Sequence, residues 1–276
     1  MAELFTIPIA PCENHVGGAI VCTEPSPAVY LLTFTSPPDN RLTAPFCKAF
    51  LAALDVIEFG SYAPGVVIST SGIPKFYSNG LDLKHAVETD GFWPLLYQVW
   101  KRLLTYPMPT VALINGHAFA GGLMLATAHD YRLTPARGFM CLNELLFGAP
   151  LKPAMAALFR VKLPATSFRT LILEAHRFTS AEAVAAGLAD AEAPQGLEDA
   201  LAFVEKKQLK EKPKTGVYGA LKLEMYKDLV AVMEGPAMES DERRFDEAPT
   251  VEGERKEFGR VWYEQWQKDN AAKSKL

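Results

Sequence analysis

Apolar positions recur along the first half of the chain in two alternating rhythms. The run AVYLLTFTS, from Ala28, is β-branched and aromatic, and the turn formers of PPDN stop it. Next, APFCKAFLAALDVIEF spaces its apolar residues as a helical stripe, before the YAPG break and a second buried strand, VVIST. The succession repeats: FWPLLYQVWKRLLTYP predicts a helix, TVALING a strand, GGLMLATAH a buried helix and DYRLT another strand. Strands alternating with helices predict an α/β fold with a largely parallel sheet.

From about Lys152 the strand rhythm thins. AMAALFRVKL, SFRTLILEA, SAEAVAAGL and LEDALAFVEKKQL read as helices, with Thr179-Ser180 ahead of Glu182 as an N-terminal cap. KKQLKEKPK packs five lysines between Lys206 and Lys214, but Glu205 and Glu211 interrupt the charge and Pro213 is expected to end the helix. A solvated helix end is favoured there over an anion site. VYGALKLEMYKDLVAVMEG and EFGRVWYEQWQ predict two or three closing helices.

Composition narrows the class. At 276 residues, 49% hydrophobic and 22% charged, the chain suits one large α/β domain with an appendage. We expect a core with an N-terminal extension over residues 1–205, and a helical region with a tail over 206–276. A net charge of −4 and pI near 5.8 supply no general field for nucleic acid. No apolar run reaches the roughly 18 residues of a membrane span. Cys12, Cys22, Cys47 and Cys141 form no C-x-x-C pair and read as reduced, packed thiols, and no metal site is expected. The opening MAELFTIPIAPCENH has two acids and no Lys or Arg, unlike a presequence. The polar end QKDNAAKSKL closes on Ser274-Lys275-Leu276, the tripeptide read by peroxisomal import receptors, which predicts the peroxisomal matrix.

Three stretches carry candidate chemistry. FYSNGLDL (76–83) and HAFAGGLML (117–125) each follow a predicted strand, and their small residues leave backbone N–H groups free to receive developing negative charge. Taken singly, such glycines serve turn geometry equally well. MCLNELLFG (140–148) sets one carboxylate, Glu144, in an apolar run beside Asn143. Desolvation among Leu142, Leu145, Leu146 and Phe147 is expected to raise its pKa and make it a stronger base. His117 and His129 have no nucleophile pattern beside them and are assigned to packing or surface roles.

FYSNGLDL, INGHAFAGGLMLATAHDYRL, MCLNELLFG and RFTSAEAVAAGLAD resemble, in order and approximate spacing, the crotonase, or enoyl-CoA hydratase/isomerase, superfamily over roughly residues 28–190. Within it the chain looks most like the Δ3,Δ2-enoyl-CoA isomerases, particularly the peroxisomal type. The resemblance implies a crotonase-like ββα spiral, with a C-terminal helical region that packs trimers, often paired into hexamers. It implies an acyl-CoA thioester substrate and no separate cofactor, CoA arriving with the substrate.

It also assigns residues. The backbone N–H groups of Leu81 and Gly121 form the oxyanion hole, with Ser78, Asn79, Gly80, Leu81, Asp82, Gly121 and Asn143 around the substrate. Glu144 is the catalytic acid/base, and Asn143 either orients the acyl chain or Glu144 or simply packs. Hydratases of the superfamily use two glutamates to activate water, and the earlier position is Met124 here. A thioether transfers no proton, whereas a double-bond shift needs one base only. After the acid motif, APLKPAMAALFRVKLP is Pro-rich and bulky, as in the isomerase branch, where it shapes a dry acyl pocket. Lys84 and Arg137 are either CoA-phosphate partners or solvated. The competing readings are a hydratase or another acyl-CoA enolate reaction, and a non-catalytic scaffold or RNA-binding homologue. The acidic pI opposes RNA binding, and the intact Glu144 opposes a retired enzyme.

Overall fold

The computed structural model describes residues 2–273. Its main sheet starts with an antiparallel meander, β1 (Glu3–Ile9), β2 (Gly18–Ser26) and β3 (Val29–Thr35). Neither β1 nor β2 was read from the sequence. The helix α1 (Ala44–Phe59) follows, opened by Thr43, whose hydroxyl accepts from the Phe46 N–H. Its buried positions, including Phe46, Phe50, Ala53, Leu54 and Ile57, fall on one face.

From here the chain winds through three turns of a strand–strand–helix unit. In the first, β4 (Val66–Ser71) and β5 (Phe76–Ser78) lead into α2 (Leu83–Glu88) and α3 (Phe92–Thr105). In the second, β6 (Thr110–Leu113) and β7 (His117–Phe119) lead into α4 (Gly121–Ala128). In the third, β8 (Tyr131–Thr134) and β9 (Met140–Cys141) lead into the one-turn helix α5 (Glu144–Phe147). The first strand of each unit extends the main sheet and the second builds a separate parallel sheet, β5-β7-β9. Helices α6 (Pro153–Lys162), α7 (Ala165–Leu173) and α8 (Ser180–Ala185) precede β10 (Ala191–Glu192), which closes the main sheet in the order β1-β2-β3-β4-β6-β8-β10. The Thr179–Glu182 capping box at α8 is present in full.

Both faces of the sheet are covered at its central strands β3, β4 and β6, which are therefore largely buried and mostly apolar. Tyr30, Leu32 and Phe34 of β3 face the larger core, where Phe34 meets Phe46, Phe50 and Tyr77 edge-on. Val29 and Leu31 face the opposite way, onto Ala200 and Val204 of α9 (Leu197–Lys206). A side chain such as Phe50, fully buried, contributes about 1.5–3 kcal/mol by transfer alone.

α9 stops at Lys206, ahead of Pro213, which lies buried inside a 3-10 turn over Leu209–Thr215. The lysines there are partly neutralised locally: Lys210 pairs with Glu205, and Lys214 with Glu211 at 2.6 Å. Three helices follow, α10 (Tyr218–Met225), α11 (Lys227–Ala231) and the long α12 (Gly235–Lys273). Lys222 of α10 is buried against Asp130 at 2.8 Å and donates to the Leu103 carbonyl, tying the helical region to the core. Along α12, pairs such as Arg255–Glu252 and Arg260–Glu264 support the exposed helix. Ser274-Lys275-Leu276 lies outside the described residues. Among the described residues, no helix is long and apolar enough to cross a membrane.

Candidate active site

The small sheet gathers the three candidate stretches, because parallel strands deliver their C-terminal ends to one side. Asn79-Gly80-Leu81 leaves β5, Ala120-Gly121 leaves β7, and Asn143-Glu144 follows β9. Their meeting point is a cleft of about 580 Å³, lined by Asn79, Leu81, Gly121, Asn143 and Glu144 from these segments. Arg41, Leu83, Trp93, Phe147, Lys152, Met155 and Phe245 supply much of the remaining wall.

Two backbone nitrogens lie close together there. Neither the Leu81 nor the Gly121 N–H donates to another backbone group among the described residues. A Cβ added at Gly121 would sit 3.3 Å from the Leu81 nitrogen, and one added at Gly80 would sit 3.0 Å from the Gly121 nitrogen. The two amides are therefore close neighbours, and glycine keeps the space between them open. Gly80 needs glycine for a second reason, its φ of +85°. Ala120, at φ +49°, ψ −124°, holds a strained conformation as it turns the chain into α4. Gly121 then opens α4, where an N–H lacks an intrahelical partner.

The frame around Leu81 was invisible in the sequence, where PPDN read only as a turn. Asn40, wholly buried, donates to the Tyr77 carbonyl at 3.0 Å and accepts from the Ser36 N–H at 2.7 Å. Arg41 donates to the carbonyls of Asn79 (3.1 Å) and Leu81 (2.9 Å), and Asn79 donates to Asp39 at 2.6 Å. Ser78 does not line the cleft; its buried hydroxyl donates to the Asn40 carbonyl and accepts from the Gly80 N–H. Asp82 likewise faces away, capping α2 through the His85 N–H and meeting His15 at 2.8 Å. Burial opposes its ionisation, but these hydrogen bonds hold its carboxyl below the ordinary value. Lys84 lies in an adjoining hollow, exposed and 3.9 Å from Glu88.

Glu144 has the opposite surroundings. Desolvation pushes its pKa up to about 7, against a smaller pull from its own N–H. Among the described residues, its Oε2 is buried without a hydrogen-bond partner, and so is the Oδ1 of Asn143. The expected source of this desolvation needs correction: Leu145, Leu146 and Phe147 are 54%, 66% and 49% exposed, and only Leu142 is buried. A single helical turn cannot wrap its own first residue, so cavity walls supply the burial instead. Phe147 lines the cleft, Leu142 and Leu151 line a second cavity on the other side, and Pro150 lines both.

The position that the resemblance gives to a second hydratase acid is closed off. Met124 is 1% exposed in α4, all eight residues of which are buried, and it does not line the cleft. His129 is also core: it bonds Ser69 and the Leu125 carbonyl at 2.9 Å each, and burial pushes its pKa down to about 3. His117 stacks on Phe139 and accepts from its N–H.

This winding of strand pairs and helices, with a site at the ends of the inner strands, defines the crotonase fold. The family model described as "Enoyl-CoA hydratase/isomerase" matches residues 24–267, and the chain belongs to that family. Enoyl-CoA delta isomerase 3 of Arabidopsis thaliana is 31% identical over 228 residues, 78% of this chain and 95% of the relative. Enoyl-CoA delta isomerase 2, peroxisomal, of the same plant is 30% identical, covering 77% and 95%. Among solved structures, an enoyl-CoA hydratase/isomerase family protein from Pseudomonas syringae aligns with TM-score 0.69 at 26% identity, covering 81% of this chain and 96% of that one. The human mitochondrial delta3-delta2-enoyl-CoA isomerase shares the fold with TM-score 0.64 at 23% identity, covering 84% and 98%.

Proposed function

We propose that the protein is an isomerase that moves the double bond of a 3-enoyl-CoA to give trans-2-enoyl-CoA, with Glu144 as its single proton carrier. One observation carries this reading: among the described residues Glu144 is the only carboxylate lining the cleft, and the second hydratase position is the buried Met124. The relatives named delta isomerases support it.

The ionised Glu144 takes a proton from C2 of the bound thioester. The electron pair moves through C2 and the carbonyl carbon onto the thioester oxygen, giving a dienolate. That oxygen receives the N–H groups of Leu81 and Gly121, fixed donors that need no reorganisation as charge develops. The neutral Glu144 then returns its proton to C4, leaving the double bond between C2 and C3. The step is internally balanced and needs no co-reactant. A base with a pKa near 7 is matched to the work at neutral pH. Asn79, Gly80, Ser78 and Asp82 shape and hold the amide-bearing loop, while Asn143 lies beside the carbon chain.

The same reading places the protein in fatty acid β-oxidation in the peroxisomal matrix, through an import receptor that binds Ser274-Lys275-Leu276. Imaging of the tagged chain, its C-terminus left free, tests that location. The reading includes a homotrimer or hexamer, which sedimentation tests.

The chemistry is tested by supplying trans-3-hexenoyl-CoA and trans-2-hexenoyl-CoA separately and identifying the products. Conversion of the first, with no hydration of the second, is expected. Hydration of the second, or failure to convert the first, overturns the proposal.

A further inference from the structure

The Leu81 and Gly121 amides rest on unequal supports. Gly121 opens α4, all eight residues of which are buried. Leu81 stands just ahead of α2, a helix of six residues in which His85 and Ala86 are buried while Leu83 and Val87 are 51% and 78% exposed. A helix this short is marginal without tertiary support and frays from its ends. Fraying would loosen Asp82, the N-cap, and with it the peptide that carries the Leu81 N–H.

Support comes from the loop between β1 and β2. Cys12 and His15 exchange backbone hydrogen bonds of 3.0 and 2.8 Å, which closes a tight turn. Glu13 within it holds a φ of +48°, a conformation that persists where its surroundings over-determine it. Two side chains of this turn reach the first turn of α2. The Asp82 carboxylate accepts from His15 Nε2 at 2.8 Å through Oδ2 and from the His85 N–H at 3.0 Å through Oδ1. His85 Nε2 accepts from the Ala44 N–H at 2.9 Å, so Nδ1 is the nitrogen that donates to Glu13 Oε1 at 3.1 Å. The side chains of His15 and His85 are 11% and 4% exposed, which shields these bonds from water. On the other flank of Leu81, the Gly80 carbonyl accepts from the Leu42 N–H at 2.9 Å.

We propose that His15 is a positioning residue for the reaction: through Asp82 it fixes the direction of the Leu81 N–H, and Glu13 supports the same helical turn through His85. The inference rests on the isomerase reading, in which that N–H meets the thioester oxygen. His15 does not line the cleft; it lies in the adjoining hollow with Asp82 and Lys84. Its influence therefore passes through the backbone. Because the thioester oxygen gains charge on the way to the dienolate, a displaced donor costs more in turnover than in binding.

The test measures kcat for trans-3-hexenoyl-CoA in the wild type, His15→Ala, His15→Gln and Glu13→Ala. Alongside it, Kd and binding stoichiometry are measured with hexanoyl-CoA, a saturated analogue that has no double bond to move. His15→Ala should lower kcat per binding site by roughly tenfold, short of the 10²–10³ lost with a whole donor, and leave Kd within about twofold. His15→Gln, whose amide N–H can take the place of Nε2, should restore most of that loss. Glu13→Ala should lower kcat per site by about threefold, the scale of one modest hydrogen bond. A role confined to folding would lower the stoichiometry and the melting temperature but leave kcat per site unchanged, and that result overturns the inference. Equal losses in His15→Ala and His15→Gln overturn it too, since the ring would then act by packing and not as a donor. If His15→Ala does not fold, Glu13→Ala decides, and an unchanged kcat per site there overturns the inference. In all these cases the wild type still converts hexenoyl-CoA and the isomerase reading stands. A wild type that does not convert it overturns the isomerase reading and this inference with it.

Discussion

The Asn79–Leu81 loop and the Asn143–Gly148 turn contribute to the same cleft and are built on opposite principles. Around Leu81, contacts from Asp39, Asn40, Arg41 and Ser78 fix the backbone through hydrogen bonds of 2.6–3.1 Å. Around Glu144, two buried oxygens lack partners among the described residues, the carboxyl is held near pKa 7, and Leu145 and Leu146 face water. A donor that must hold a fixed place is best served by over-determined geometry. A group that must take up and release a proton is best served by an environment that does not satisfy its charge. The first kind of site tolerates almost no change in backbone; the second tolerates no change of chemical group.

Removing the chemical group gives the largest expected effect. Glu144→Gln keeps the shape and hydrogen-bonding capacity but removes the base, so kcat for 3-hexenoyl-CoA should fall by about 10²–10⁴. The substrate dissociation constant should change little, because the amides of Leu81 and Gly121 remain. Near-normal turnover in the variant would sink the single-base mechanism.

Disturbing the fixed backbone comes next. In Gly80→Ala the added Cβ would lie 2.9 Å from the Phe119 carbonyl oxygen and 3.0 Å from the Gly121 nitrogen, at a φ of +85° that alanine resists. The chain must shift, and with it one of the two donors. Loss of one such donor costs about 2.7–4 kcal/mol of barrier, or roughly 10²–10³ in kcat. Steady-state kinetics alongside a thermal melt checks this. Unaltered kcat in a folded variant would mean that the amides are not the oxyanion hole.

The two regions also differ in how far the sequence revealed them. α1 was readable to its ends because sixteen residues sustain one apolar period between the PPDN turn and the YAPG break. The small sheet was not, since strands of two or three residues show no period. β1 and β2 escaped for another reason: β1 is an edge strand with mixed exposure, and Pro8 and Pro25 interrupt the two runs. The frame of Leu81 depends on contacts some forty residues apart in sequence, such as Arg41 to the Leu81 carbonyl, which no local pattern encodes. Glu144 stood out because a lone acid in an apolar run is conspicuous, yet the run itself does not bury it. Its surroundings come from Pro150, Leu151 and Ile172, brought in by the packing of later segments.

The smallest expected effect sharpens the comparison, because its sign opposes that on turnover. The Glu144 carboxyl has a pKa of about 7 in the folded protein against an ordinary 4.5. Between those values the folded chain binds the proton that the unfolded chain releases, so the Glu144 contribution to stability falls as pH rises from 4.5 to 7, and stays low above it. Glu144→Gln cannot ionise and escapes that loss. The variant should therefore melt higher than the wild type at pH 8, by about 2–4 °C for each kcal/mol of penalty relieved in a chain of this size. The gap should shrink as pH falls toward 4.5, where the wild-type carboxyl is largely protonated in the folded state. Thermal melts of both proteins across this range decide it. A gap independent of pH, or a glutamine variant less stable at pH 8, would show that Glu144 is solvated or paired in the folded state, and the contrast with the satisfied loop at Leu81 would collapse.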